Sequence, residues 1–151
     1  MSFTVRPAGP DDLSTIVEFN QRLALESENL PLDPQVLTSG VAKVLADPQR
    51  GRYFVADDAG EVIGQIMITY EWSDWRDGWI WWIQSVYVRA DRRKSGVFRS
   101  VFELIEATAR TEGGVVALRL YVEKANHVAQ ATYHRLGFEE MHFHLFQKSS
   151  R

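Results

Sequence analysis

The spacing of apolar residues predicts one strand and two helices in the first third of the chain. Residues 3–6 alternate between apolar and polar, which is typical of a short strand. After a Pro-Ala-Gly-Pro break, apolar residues at helical spacing predict a helix capped by Asp11 or Asp12. Residues 26–32 then predict a loop with two acids, and Asp33-Pro34 opens a second helix that ends before another Asp-Pro pair.

The middle of the chain has the pattern of three antiparallel strands. Segments 53–56, 62–72 and 79–88 are rich in β-branched and aromatic residues, and two polar turns containing Asp and Gly separate them. Gly64 interrupts the second segment and predicts a bulge there. Consecutive strands joined by such turns are expected to pair as a meander of hairpins.

The last third of the chain predicts a pair of parallel strands. An amphipathic helix over residues 96–111 ends at two glycines and leads into a strand over 115–122. Because a helix crosses between this strand and the one before it, the two are expected to be parallel. A helix over 126–136 follows, and then closing strands over 138–140 and 142–147.

Length and composition fit one domain over residues 1–151. The chain is 45% hydrophobic and 25% charged, as ordinary globular domains are. Its size also buries enough surface to fold without a disulfide or a metal. The combined elements predict an α/β (α+β) fold, in which about four helices pack on a mixed, mostly antiparallel sheet of about six to seven strands with a central parallel pair.

Several classes of protein are excluded by what the chain lacks. It has no cysteine, and therefore no disulfide, no thiolate metal ligand and no thioester on the protein. A net charge of −3 gives no attraction to nucleic acid. There is no signal-peptide pattern and no run of ~20 apolar residues, so we expect a cytoplasmic protein without membrane contact. His142 and His144 alternate without an acidic or thiol partner nearby, so no metal site is predicted.

A basic turn between a strand and a helix is the first candidate for chemistry. Residues 92–99 include four basic side chains at the predicted start of the helix over 96–111. Backbone N–H groups and the helix dipole make such a terminus an anion site suited to a pyrophosphate. A solvated basic turn that only closes the crossover has the same composition. The spacing is not that of a nucleotide-hydrolysing phosphate loop.

Two segments at this point resemble the GNAT superfamily of N-acetyltransferases. Arg93-x-x-Gly96-x-Phe98 is similar to the superfamily's Q/R-x-x-G-x-G/A acyl-CoA loop, and it follows a strand that ends in Val86-Tyr87-Val88. A second stretch also agrees, Asn126-x-x-Ala129-x-x-x-Tyr133-x-x-x-Gly137-Phe138 after the next strand. The order of elements matches over the whole chain, so the predicted fold becomes a GNAT-like one.

The resemblance implies where acetyl-CoA, the co-substrate, binds. The parallel strands should splay apart, with the pantetheine arm against the first of them and the pyrophosphate on the basic loop. Where the motif ends in Gly or Ala this chain has Phe98, which shares one helical face with Val101, Phe102, Ile105 and Ala109 and is therefore expected to point into the core. The implied binding residues are Val86, Tyr87, Val88, Arg93, Lys94, Ser95, Gly96, Val97, Phe98, Arg99, Asn126 and Tyr133.

Tyr133 and Asn126 each have two interpretations. An alkylammonium is mostly protonated at neutral pH, and only the neutral amine attacks a thioester, so the site must move protons. Tyr133 stands where the resembling enzymes place a tyrosine that protonates the departing thiolate, although an aromatic on this helix face also fits core packing. Asn126 fits a helix N-cap, and the resemblance also makes it a ligand of the pantetheine arm or of water.

The general base is left open among four residues and water. In several relatives a Glu five residues before the Asn takes the proton, and here that position holds Tyr121. Glu123 would lie on the same side of the predicted strand and is a reserve candidate. Glu26 and Glu28 are further candidates for the base or for acceptor binding, because the loop after the first helix lines the acceptor cleft in the superfamily. A water chain to solvent is an equal alternative.

The resulting hypothesis is acetyl transfer from acetyl-CoA to a primary amine, by direct attack in a ternary complex. The alternative is a non-catalytic acyl-CoA-binding sensor or structural domain, which Phe98 and the missing Glu at position 121 favour and which Tyr133 opposes. The expected acceptor is the amine of a small molecule or a peptide. Trp72 and Trp75 near a turn are expected to line the acceptor pocket or a homodimer interface, because exposed aromatic clusters mark contact surfaces.

Overall fold

The computed structural model, which describes residues 2–151, contains one mixed sheet of five strands. In chain order the strands are β1 (Thr4–Pro7), β2 (Arg52–Asp58), β3 (Glu61–Ser73), β4 (Gly78–Val88) and β5 (Val115–Arg119). The helices are α1 (Leu13–Glu28), α2 (Pro34–Ala46), α3 (Val97–Glu112) and α4 (His127–Arg135), with single turns of 3-10 helix at Pro10–Asp12 and Ala90–Arg92. The chain divides into a first unit that ends at Tyr121 and a second, Val122–Arg151.

The sheet runs in the order β1-β2-β3-β4-β5. Its first four strands are antiparallel, and β5 pairs with β4 in parallel after the crossover through α3. The predicted parallel pair and the meander are therefore confirmed. The pair was expected at the centre of the sheet, but it lies at the edge, because β5 is the last strand of the sheet within residues 2–151. The prediction of six to seven strands is wrong, because the sheet has five within residues 2–151.

The missing strands are the two predicted at the C-terminus. Residues 138–140 and 142–147 have no strand structure, and all of them except the half-buried Phe138 are exposed. The described part of the second unit holds one helix and no strand, so it offers no neighbouring strand to accept their backbone hydrogen bonds. Alternation of apolar and polar residues predicts which face a strand would bury, but pairing requires a partner.

Helices α1 and α2 cover one face of the sheet and α3 covers the other. Gln65 on β3 reaches Asn20 of α1, while a side chain at the preceding Gly64 would meet Val97 at the start of α3. A Cβ at Gly64 would lie 2.7 Å from the Val97 side chain, so glycine lets the first turn of α3 approach the sheet. The extra residue of the predicted bulge lies beside this glycine, where the β2–β3 register shifts.

Helix α1 is longer than its sequence pattern predicts. It continues through Glu28, so Glu26 and Glu28 lie in its last turn and not in a loop. The helix ends at Asn29, whose φ of 51° is the left-handed conformation typical of a residue that stops a helix. The start of α2 is as predicted, since the Asp33 side chain accepts hydrogen bonds from the backbone N–H groups of Gln35 and Val36.

A partly buried ion pair between Arg6 and Asp12 joins β1 to the start of α1 and makes stability depend on pH. Both carboxylate oxygens of Asp12 accept hydrogen bonds from Arg6, at 2.9 and 3.0 Å, and the Gly9 N–H donates to one of them at 2.7 Å. The hydrogen bonds from Arg6 lower the pKa of Asp12, burial opposes them, and the Gly9 N–H adds to the lowering. A carboxylate whose folded-state pKa is below its unfolded-state pKa stabilises the fold at pH values above the unfolded-state pKa. This stabilisation is lost as the pH falls through the folded-state pKa.

We therefore expect Asp12→Asn to destabilise the protein and flatten its acid response. At neutral pH the substitution should lower the free energy of unfolding by about 2 kcal/mol, because Arg6 loses its hydrogen bonds to a charged carboxylate. The difference from wild type should shrink as the pH falls through the folded-state pKa of Asp12. Urea unfolding at several pH values measures both effects. The control is Asp11→Asn, which makes the same change at the exposed neighbouring residue. Equal pH dependence in wild type and Asp12→Asn would contradict this role.

Candidate active site

The strands β4 and β5 stop pairing halfway along β4. Their parallel pairing runs from Trp79 and Val115 to Trp82 and Arg119, where β5 ends, whereas β4 continues to Val88. The second half of β4 therefore has no paired strand on that side among the described residues. The strand predicted over 115–122 is thus shorter than expected, and neither Tyr121 nor Glu123 belongs to it.

A bulge in β4 separates its two halves. Gln65 of β3 pairs with Tyr87 and Met67 with Gln84, so β4 has one extra residue between these pairs. Ser85 lies in the bulge with a φ of 52°, and the Gln65 side-chain amide donates to its carbonyl oxygen at 3.0 Å. The same amide lies 3.3 Å from Asn20 Oδ1, and Asn20 in turn donates to the Tyr53 hydroxyl at 3.1 Å. A buried polar chain from α1 therefore fixes the bulge.

The loop after β4 has the backbone of an anion site. Lys94 and Gly96 have φ values of 62° and 84°, so the chain turns twice through left-handed conformations before α3 begins at Val97. The first α3 backbone bond runs from the Ser100 N–H to the Gly96 carbonyl oxygen at 3.0 Å. The N–H groups of the first turn have no partner within the helix and lie at its positive end. This arrangement suits a phosphate group.

Most of the basic side chains in the loop are already paired. Arg92 binds Asp58 at 2.7 Å, Arg93 binds Glu26 at 2.7 Å, and Arg99 lies 3.1 Å from Glu103. Their charges are partly neutralised, so an anion in this loop would depend mainly on the backbone and on exposed Lys94. Phe98, which replaces the Gly or Ala of the motif, leaves α3 intact. Its ring stacks on that of Phe102, with the ring centres 5.9 Å apart. The core positions of this helix are buried, namely Val101, Phe102, Ile105 and Ala109.

Glu26 joins the end of α1 to the basic loop. Its carboxylate accepts hydrogen bonds from Arg93 at 2.7 Å and from the Tyr87 hydroxyl at 3.0 Å. Arg93 also donates to the Val88 carbonyl oxygen at 2.9 Å and lies over the Tyr87 ring. Burial raises the pKa of Glu26, but the hydrogen bonds from Arg93 and Tyr87 outweigh it and the net shift is downward. A carboxylate held by these two hydrogen bonds is a weak base. The other acid of this helix turn, Glu28, is exposed.

The second unit carries the other motif on α4. The Asn126 side chain accepts from the Ala129 N–H at 3.1 Å, which confirms it as the helix N-cap. Tyr133 lies in the last turn, with its ring edge-on to Phe138 at 5.8 Å. Burial raises the pKa of the Tyr133 hydroxyl, so it keeps its proton at neutral pH. Glu123 precedes the helix, and its side chain accepts a hydrogen bond from the Ala125 N–H at 2.7 Å.

Sequence reasoning missed a cluster of side chains on β3, on β4, on β5 and directly after β5. Glu71, Trp82, Arg119 and Tyr121 meet on the face of the sheet that also bears α1 and α2, because Trp82 pairs with Thr69 and alternation places Met67, Thr69 and Glu71 on that face. The Trp82 indole N–H donates a hydrogen bond to Glu71 at 2.9 Å. The centres of the Trp82 and Tyr121 rings are 5.1 Å apart. We call these four residues the aromatic platform.

The platform could not be found from spacing along the chain, because three of its members lie on three different strands and Tyr121 follows the end of β5. The pairing register of β3 with β4 and of β4 with β5 brings them together. The two tryptophans singled out from the sequence are elsewhere. Trp72 contacts Trp79 on the opposite face, and Trp75 is 96% exposed at the hairpin tip. Within residues 2–151 there is no group of three potential metal ligands and no helix long and apolar enough to cross a membrane.

Comparison with known proteins agrees with this geometry. The model of the acetyltransferase (GNAT) family matches residues 19–138. A possible acetyltransferase from Clostridium difficile 630 has a similar structure, with 42% identity, a TM-score of 0.92 and coverage of 100% of this chain and 99% of the other. The chain belongs to the GNAT acetyltransferase family, whose chemistry is acyl transfer.

Two more distant structures share the fold alone. An aminoglycoside acetyltransferase from an uncultured soil metagenomic sample is 18% identical with a TM-score of 0.77, and the match covers 99% of this chain and 100% of the other. A transcriptional regulator from Bacillus halodurans C-125 is 20% identical with a TM-score of 0.82, and the match covers 97% and 99% of the two chains. The fold is therefore found in proteins described by different functions.

Proposed function

We propose that the protein is a cytoplasmic, single-domain N-acetyltransferase that moves the acetyl group of acetyl-CoA to a primary amine, by direct attack in a ternary complex. The observation that carries this proposal is the divergence of β4 from β5 directly before a helix N-terminus with the backbone of an anion site. Unpaired strand backbone suits an amide-containing arm, and the helix terminus suits the phosphates attached to it. A thioester carrier such as CoA has both parts.

The proposed binding roles follow the two motifs. The backbone of Val86, Tyr87 and Val88 hydrogen-bonds the pantetheine arm, and the pyrophosphate lies on the N–H groups of residues 93–99. Asn126 contributes to the arm or to an ordered water near it. Because Arg93 is tied to Glu26 and to Val88, we assign its side chain to holding the loop in place, and Lys94 to the phosphate charge.

The proposed chemistry needs one proton donor and one proton acceptor. Tyr133 donates its proton to the CoA thiolate as the thioester bond breaks, and burial keeps this hydroxyl protonated until then. Of the base candidates, Glu26 is the least suited because its ion pair with Arg93 would have to break before it took a proton. Tyr121, Glu28, Glu123 and water stay as alternatives for that step.

The test is binding followed by turnover. Isothermal titration of the protein with acetyl-CoA should give a single site per chain, and saturating acetyl-CoA should raise the melting temperature by mass action. A panel of amines, including polyamines, aminoglycosides, amino acids and peptides, is then assayed for release of the CoA thiol. Binding without turnover on every amine would favour a non-catalytic acyl-CoA-binding domain. No heat and no thermal shift at millimolar acetyl-CoA would overturn the co-substrate assignment.

A further inference from the structure

Arg119 in the aromatic platform is a half-buried arginine whose side chain has no hydrogen-bond partner among residues 2–151. Its side chain is 22% exposed, close to the 26% of Arg52 and the 24% of Arg92. Arg52 donates to Glu112 at 2.6 and 3.0 Å, and Arg92 donates to Asp58 at 2.7 Å. For Arg119 the nearest carboxylate oxygen among the described residues belongs to Glu71 and is 3.8 Å away.

The distance to Glu71 leaves the donors of Arg119 available. At 3.8 Å the two charges attract each other but do not form a hydrogen bond. The guanidinium lies 5.9 Å from the centre of the Trp82 ring, which holds it in place without using its N–H groups. A guanidinium presents a planar fork that matches a carboxylate, and partial burial strengthens such a pair.

Glu71 supplies the complementary charge. One of its oxygens accepts the indole N–H of Trp82, and the other faces Arg119. A negative charge this close disfavours a doubly charged phosphate on Arg119, whereas it attracts an ammonium group. The pair therefore presents a positive and a negative group 3.8 Å apart on one surface. The matching ligand has a carboxylate and an amine on neighbouring atoms.

The position of the platform connects it to acyl transfer. Trp82 and Arg119 are the last paired residues before β4 and β5 diverge, so the platform lies where the proposed gap for the acyl carrier begins. Tyr121 is 57% exposed beside Trp82, and the two rings form an apolar surface for the body of a ligand. Resting on the proposed acetyl transfer, we infer that the acceptor is an α-amino acid with an aromatic or apolar side chain. Arg119 holds its carboxylate, and Glu71 holds its amine end.

The experiment compares three acceptors that share one ring and differ at the carboxylate. L-Phenylalanine, its amide and 2-phenylethylamine are assayed for thiol release with acetyl-CoA, and an aminoglycoside is added as a cationic acceptor without a carboxylate. We expect kcat/KM to be at least about tenfold higher for phenylalanine than for the other three, because only it satisfies Arg119. Equal or better use of the amide, the phenylethylamine or the aminoglycoside overturns the inference.

Variants of Arg119 separate this inference from the function on which it rests. Arg119→Gln should raise KM for phenylalanine by about 10- to 100-fold and leave KM for acetyl-CoA and for 2-phenylethylamine unchanged. Arg119→Lys keeps the charge but lacks the planar fork, so its KM for phenylalanine should lie between those of wild type and Arg119→Gln. Arg110→Gln, on the exposed side of α3, makes the same charge change and should have no effect. An unchanged preference for phenylalanine in Arg119→Gln overturns the assignment even when turnover is normal.

A binding measurement decides the question if no amine is turned over. Titration of L-phenylalanine into the protein with CoA present should release heat in wild type and in Arg110→Gln, and little or none in Arg119→Gln. That result with no thiol release would mean that the proposed acetyl transfer fails while the amino acid site stands. No heat in wild type, or equal heat in all three proteins, would mean that the platform does not bind amino acids.

Discussion

Replacing Tyr133 with phenylalanine is expected to lower kcat by about two orders of magnitude while the affinity for acetyl-CoA stays near that of wild type. The CoA thiolate is a basic leaving group, and a positioned acid that protonates it typically accelerates the step by about 10²–10⁴-fold. The substitution removes one hydroxyl and keeps the ring that contacts Phe138. Steady-state kinetics with a working amine, together with calorimetry of acetyl-CoA binding, measure the two quantities separately.

The pH dependence gives a second readout for Tyr133. Because burial raises the pKa of its hydroxyl, the acid form persists through neutral pH, and wild-type kcat should fall only when the pH rises above that pKa. In Tyr133→Phe this alkaline fall should disappear. Tyr70→Phe is the matched control, since the Tyr70 hydroxyl bonds Arg52 and the Pro48 carbonyl oxygen, and its loss should leave kcat unchanged. A wild-type kcat in Tyr133→Phe would make Tyr133 a packing residue and give its role to water.

The fold could be predicted where a local signal decided the structure. The start and end of α3, the Asp33 cap and the parallel strand pair follow from apolar spacing, capping residues and the crossover, and the structure confirms them. Apolar spacing alone predicts too early an end for α1. The stop lies at Asn29, and asparagine is one of the few residues that readily adopt the left-handed conformation found there. The apolar spacing therefore predicts a loop at Glu26, whereas the residue lies in the last turn of α1.

The candidate site was predictable only in the part that is continuous in sequence. The loop at residues 93–99 and the α4 motif each lie within one segment, so their spacing is readable directly. The bulge at Ser85 and the aromatic platform depend on the pairing of neighbouring strands, which alternation alone does not specify. The partnership of Glu26 with Arg93 joins residues 67 positions apart, so only the folded chain could show that this acid is already paired.

Introducing a negative charge at Gly96 is expected to weaken acetyl-CoA binding about 100-fold. Gly96 caps α3 with a φ of 84°, next to the first-turn N–H groups proposed to hold the pyrophosphate. An aspartate there places a carboxylate against phosphate oxygens at the helix end that otherwise favours anions. The backbone strain of a side chain at this φ is present with or without the ligand, so the loss of affinity reports mainly the repulsion between like charges. Titration of wild type and Gly96→Asp with acetyl-CoA at low salt measures the loss.

Gly96→Asn separates the charge from the shape. Asparagine has the same size as aspartate and also tolerates the left-handed conformation, so the two variants should have equal melting temperatures and differ only in charge. We expect Gly96→Asn to lose no more than about tenfold in affinity, and the gap between the variants to narrow as salt screens the repulsion. If the two variants bind acetyl-CoA equally well at low salt, the pyrophosphate does not lie on this helix terminus and the loop is a solvated basic turn.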